Sequence, residues 1–236
     1  MNNIKYKNTS NYQDLIKVLA LTAMVIDHLG LYLFPEHQVM RLIGRTAMPA
    51  FCFFAGYNFH NKPRNSILFY GLSLYAINTI IFFQFQTTNI LISMYLGQCY
   101  IFLFRDKLKK FFYTGYIHVV FLAIFWSVTK DIIDYGSLAI SIMVLGYIAK
   151  HDKSHFKLAI FISIIISIFH TITVFNFFPI YVVIIGILQF LSMIIRDPNS
   201  QITINLNIIS RNMLLIYFLH IIIIQIIFVY KSYFNN

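Results

Sequence analysis

The chain has 236 residues, of which 59% are hydrophobic and only 11% charged, with a net charge of +10. A soluble domain carries about a quarter charged residues, so this composition excludes a water-soluble globular protein. The basic excess falls in short clusters between apolar runs, as in loops beside anionic lipid, and not on one polar face, which excludes nucleic acid as a partner.

Residues 1–14 read as a short polar N-terminal segment and residues 15–236 as a single transmembrane helical domain. The first apolar run, 15–34, is too long and too polar at its centre for a cleaved leader, and no small-residue cleavage site follows it. Further runs follow at 42–59, 66–85, 87–104, 111–129, 135–149, 158–175, 177–195 and 204/211–230. Each approaches the length needed to cross a hydrocarbon layer of roughly 30 Å. The fold class is therefore all-α, a polytopic transmembrane bundle of about nine spans, within one either way.

The loop charges set an orientation. Lys5, Lys7 and Lys17 lie around the first start, Lys62 and Arg64 after the second run, Arg105, Lys107, Lys109 and Lys110 after the fourth, and Lys150, Lys153 and Lys157 after the sixth. The intervening loops are neutral or mixed: Glu36 with Arg41, then 86–89, then Lys130 with Asp131 and Asp134. Basic residues thus mark every second loop, which places the N-terminus in the cytoplasm and the protein in the inner membrane.

An ionisable group inside a transmembrane helix is costly, so each one is a candidate for function. The first run holds Asp27 and His28, and the second holds Arg45 four residues before Pro49. At about 1.5 Å per residue, Asp27 and Arg45 fall at similar depth on antiparallel neighbours, where each can be the other's counter-ion. Asp27 and His28 point about 100° apart and so line two walls of one polar region. Histidine suits proton transfer near neutral pH, and Pro49 in mid-helix opens room beside Arg45. In the last run Tyr217 and His220 are three apart and share a face, a second candidate for chemistry. Gln98, His118 and His170 read as helix-to-helix glue or core groups and His60 as interfacial. The sequence has no zinc-ligand spacing, glycine-rich phosphate loop or nucleophile elbow, and Cys52 and Cys99, both inside apolar runs, build no disulfide framework.

The stretch from Ile16 through Asp27-His28-Leu29-Gly30, followed by Gly44-Arg45-Thr46-Ala47-Met48-Pro49, resembles the TraX family, and Tyr217 to His220 resembles the aromatic-then-histidine element near the end of such chains. In the third run only Tyr70 of the family's Lys-Tyr and Arg-Leu pairs is kept. The resemblance implies a membrane acetyltransferase that moves acetyl from acetyl-CoA to an amine, in the family's case the N-terminus of a pilin, and hence a link to conjugation. On that footing Asp27, His28, Arg45, Tyr217 and His220 form the catalytic set. Lys62, Arg64, Lys107 and Lys109 face the phosphates of the donor, and no metal is called for. A proton-coupled carrier and a non-enzymatic pilus or secretion assembly factor are the alternatives.

Overall fold

The computed structural model describes residues 10–82, 88–108, 111–129, 132–151 and 205–234, with positions 160, 161, 164, 201 and 202. The seventh and eighth apolar runs, apart from positions 160, 161 and 164, lie outside the described residues, as do Gln84, Lys109 and His170. Among the described residues the protein is all-α except for one antiparallel strand pair, β1 (Ser10–Asn11) with β2 (Gln201–Ile202). The chain divides into two compact units, Met1–Ala47 with Leu188–Asn236, and Met48–Ile187.

The first unit is built on α1 (Tyr12–Tyr32), α2 (Gln38–Arg45), α8 (Asn207–Arg211) and α9 (Met213–Phe234). Helix α1 begins three residues before the apolar run because Asn11 and Asp14 form a capping box. The Asn11 side chain accepts from the Asp14 N–H at 3.0 Å, and Asp14 Oδ2 accepts from the Asn11 N–H at 3.1 Å. Short polar contacts then join this start to that of the last helices: the Ser10 hydroxyl accepts from the Leu206 N–H, and the Ser210 hydroxyl donates to Asp14 Oδ1. Farther along, His28 meets His220, and the Gln225 amide donates to the Tyr32 hydroxyl at 3.0 Å. Contacts at 14–210, 28–220 and 32–225 advance together, so α1 and α9 run parallel. Helix α2 folds back antiparallel on α1 after the turn at 33–37.

The second unit contains α3 (Ala47–Tyr57, beginning at the boundary), α4 (Asn65–Phe82), α5 (Ile90–Leu108), α6 (Phe111–Thr129) and α7 (Gly136–His151). Every residue of α7 from Gly136 to Ile148 is buried, so this helix is the unit's centre, packed by α5 and α6.

Two features depart from the sequence reading. The second run is not one helix: α2 ends at Arg45, Thr46 caps it, and α3 starts at Ala47. Pro49 has no N–H to give the Arg45 carbonyl, so the ladder is interrupted there, and the proline sits in the first turn of α3 and not in mid-helix. The last run is likewise split, at Asn212, into α8 and α9. Two described helices, α1 with 21 residues and α9 with 22, are long and apolar enough to cross a membrane. In both, about a third or less of the most apolar stretch is buried; Leu215, Leu219, Ile223, Ile226 and Ile227 form exposed apolar surface on α9.

Candidate functional site

Asp27 and His28 occupy adjacent positions on α1 and so face different neighbours. Asp27 faces α2. Arg41 Nη1 donates to Asp27 Oδ2 at 2.7 Å and to the Asp27 backbone carbonyl at 3.1 Å. Arg45 Nε stands 4.0 Å from Oδ1. The close counter-ion of Asp27 is therefore Arg41, which the sequence reading left in a loop, and Arg45 is the more distant of the two. Arg41 lies one turn before Arg45, on the same face of α2.

The other carboxylate oxygen, Oδ1, is buried and takes no hydrogen bond among the described residues. It is covered by the backbone of α2. A Cβ placed on Gly44 would lie 2.6 Å from Oδ1 and closer still to the Asp27 Cα and Cβ; one placed on Gly30 would lie 2.8 Å from the Met40 Cβ. Glycine at 30 and 44 thus lets α1 and α2 approach closely enough for the arginines to reach the carboxylate. Gly44→Ala is expected to lower stability by about 1–3 kcal/mol, the usual cost of overpacking, and to cut membrane yield. A wild-type thermal unfolding midpoint for Gly44→Ala in detergent would contradict this packing.

His28 faces α9. Its Nδ1 is 2.9 Å from His220 Nε2, and the ring centroids are 5.0 Å apart. Tyr217, buried on the same side, places its ring 6.2 Å from His28 and 5.4 Å from His220. His220 Nδ1 lies 3.1 Å from the Ile216 carbonyl. Both imidazole residues keep part of their surface exposed, whereas Asp27 Oδ1 is sealed. The arrangement has two parts: a carboxylate clamped between α1 and α2, and a pair of linked imidazoles between α1 and α9 with a phenol beside them. An accessible imidazole pair can accept, hold and return a proton.

Three of the five candidate catalytic residues, His28, Tyr217 and His220, are thus joined to one another by a short contact or ring packing, whereas Asp27 is held by Arg41, outside that set, with Arg45 at the edge of its carboxylate. Among the candidate phosphate-binding residues, Lys62 and Arg64 lie exposed on the loop between α3 and α4, where the Arg64 N–H donates to buried Gln98 at 2.8 Å. Lys107 is exposed near the end of α5, with Nζ 5.8 Å from the centre of the Phe104 ring. All three belong to the second unit. His118, also in that unit, is buried with its Nδ1 bonded to the Tyr100 hydroxyl. Groups of three or more metal-ligating side chains are absent among the described residues.

Among the described residues, two helices long and apolar enough to cross a membrane, with ionisable groups on both and a polar site between them, fit a membrane-associated protein. The chain belongs to the TraX family: residues 12–228 match the family described as TraX protein, a span that holds the carboxylate clamp and the histidine pair. It is also 50% identical over 236 residues to "Uncharacterized protein RP591" of Rickettsia prowazekii (strain Madrid E), with 95% of each chain covered. No solved structure matches it.

Proposed function

We propose that this protein is a multi-pass acetyltransferase of the inner membrane that moves the acetyl group of acetyl-CoA to an amine, with the N-terminus of a pilin as the acceptor that family membership suggests. The observation that carries this reading is the half-buried, hydrogen-bonded pair His28–His220. The amine nitrogen attacks the thioester carbonyl carbon and a C–N bond forms. The C–S bond then breaks. His28 takes the proton that the amine loses and returns it to the departing CoA thiolate, so the products are an amide and a free thiol. Arg45 orients Asp27 or stabilises the oxyanion of the tetrahedral intermediate, and Tyr217 lies within ring contact of the base. The lysines and arginine of the basic loops, Lys62, Arg64, Lys107 and Lys109, suit the phosphates of the donor.

The parallel run of α1 and α9 supports an odd number of crossings, in keeping with about nine spans, and the basic loops support a cytoplasmic N-terminus. Cysteines placed at the exposed positions 62 and 107 are expected to resist a membrane-impermeant reagent in intact cells and to react once the membrane is opened. Strong labelling in intact cells would reverse the orientation. A proton-coupled carrier is the second reading, because linked imidazoles in a membrane also relay protons. Intact-mass spectrometry of pilins and membrane proteins, from cells with and without the gene, separates the two. A species heavier by one acetyl group only when the gene is present supports transfer; identical masses alongside altered uptake favour the carrier.

A further inference from the structure

The contacts of the two imidazoles fix which nitrogen carries which hydrogen. A carbonyl oxygen only accepts, so His220 Nδ1, 3.1 Å from the Ile216 carbonyl, carries its hydrogen there. In the neutral ring Nε2 is then a bare acceptor. His28 Nδ1 stands 2.9 Å from that Nε2 and must supply the hydrogen between them. With its hydrogen on Nδ1, neutral His28 keeps its lone pair on Nε2.

We propose that the Ile216 carbonyl, His220 and His28 form an ordered relay in which His28 Nε2 is the proton-accepting atom and His220 is a positioning residue that fixes the His28 tautomer. When Nε2 takes a proton, the Nδ1 hydrogen of His28 can pass to His220 Nε2. His220 is then an imidazolium with both N–H groups bonded, one to Ile216 and one to His28. His28 is left neutral with its hydrogen on Nε2. Return of that hydrogen to a leaving group draws the other back, and the pair ends as it began. The tautomers stand on geometry alone; the use of Nε2 in acetyl transfer rests on the function proposed above.

Nitrogen-15 NMR of the full-length protein in lipid nanodiscs, labelled at its eight histidines, tests the order directly. The two signals are assigned by their loss in His28→Gln and His220→Gln. Both rings are expected as the Nδ1–H tautomer, with a scalar coupling across the bond from His28 Nδ1 to His220 Nε2. A His28 signal with its hydrogen on Nε2 in the resting protein would overturn the relay. His220→Gln places an amide oxygen near the lost Nε2, so it holds the His28 tautomer without taking the proton, and is expected to transfer at least about tenfold faster than His220→Leu while remaining slower than the wild-type protein. Equal rates in the two variants would remove the positioning role. Nδ1–H tautomers in a protein that transfers no acetyl group would leave the relay standing and overturn the function.

Discussion

His28→Gln is expected to reach wild-type abundance in the membrane while acetyl transfer falls by about 10²–10⁴, the usual contribution of a positioned general base. The glutamine side chain adds no charge and retains hydrogen-bonding groups towards α9. His28 points away from the Asp27 clamp, so the close approach of α1 and α2 at Gly44 is undisturbed. What disappears is the nitrogen that accepts a proton. The comparison needs two numbers from one preparation, the amount of protein by quantitative blotting and the initial rate of CoA release. Full transfer by a well-inserted His28→Gln protein would take histidine out of the mechanism.

Arg41→Met is expected to act in the opposite way, by removing the protein and not the chemistry. Asp27 Oδ2 loses its 2.7 Å partner, while Oδ1 already lacks a hydrogen bond among the described residues. A carboxylate stranded in this setting costs about 3–5 kcal/mol, a large share of the roughly 5–15 kcal/mol that holds a native protein together, so the yield falls. Adding Asp27→Asn removes the stranded charge and should partly restore the yield. Arg45→Met, whose Nε is 4.0 Å from Oδ1, should cost less than Arg41→Met. Yield and thermal unfolding in detergent for the single and double variants measure the order. A larger loss for Arg45→Met would place the principal counter-ion at the wrong arginine.

Why Arg41 escapes a reading of the sequence is a matter of local context. Asp27 and Arg45 stand out because they interrupt apolar runs, where hydrocarbon penalises charge. Arg41 sits near Glu36 and His37 at a run's edge, where a charge is ordinary. Only the folding of α2 back along α1 brings it to the carboxylate. The His28–His220 bond joins positions 192 apart, and helical spacing speaks only to neighbours within a turn or two. Spacing did place Tyr217 and His220 on one face, but Asp27 and His28, read as two walls of one polar region, face separate partners, Arg41 on α2 and His220 on α9. The break at Thr46 was signalled by Pro49, whose missing N–H ends a ladder as readily as it opens space beside one. The glycines of the two motifs carry their meaning in the packing: Gly30 and Gly44 are the positions where α1 and α2 touch.

The most direct measurement is transfer by the purified protein in lipid vesicles, supplied with acetyl-CoA labelled in its acetyl group and a peptide bearing a free N-terminal amine. The wild-type protein should pass label to the amine and release one thiol for each amide formed. An equal amount of His28→Gln should leave both products near background. Label that never leaves acetyl-CoA, or that reaches the amine equally with either protein, would contradict a membrane acetyltransferase built on His28.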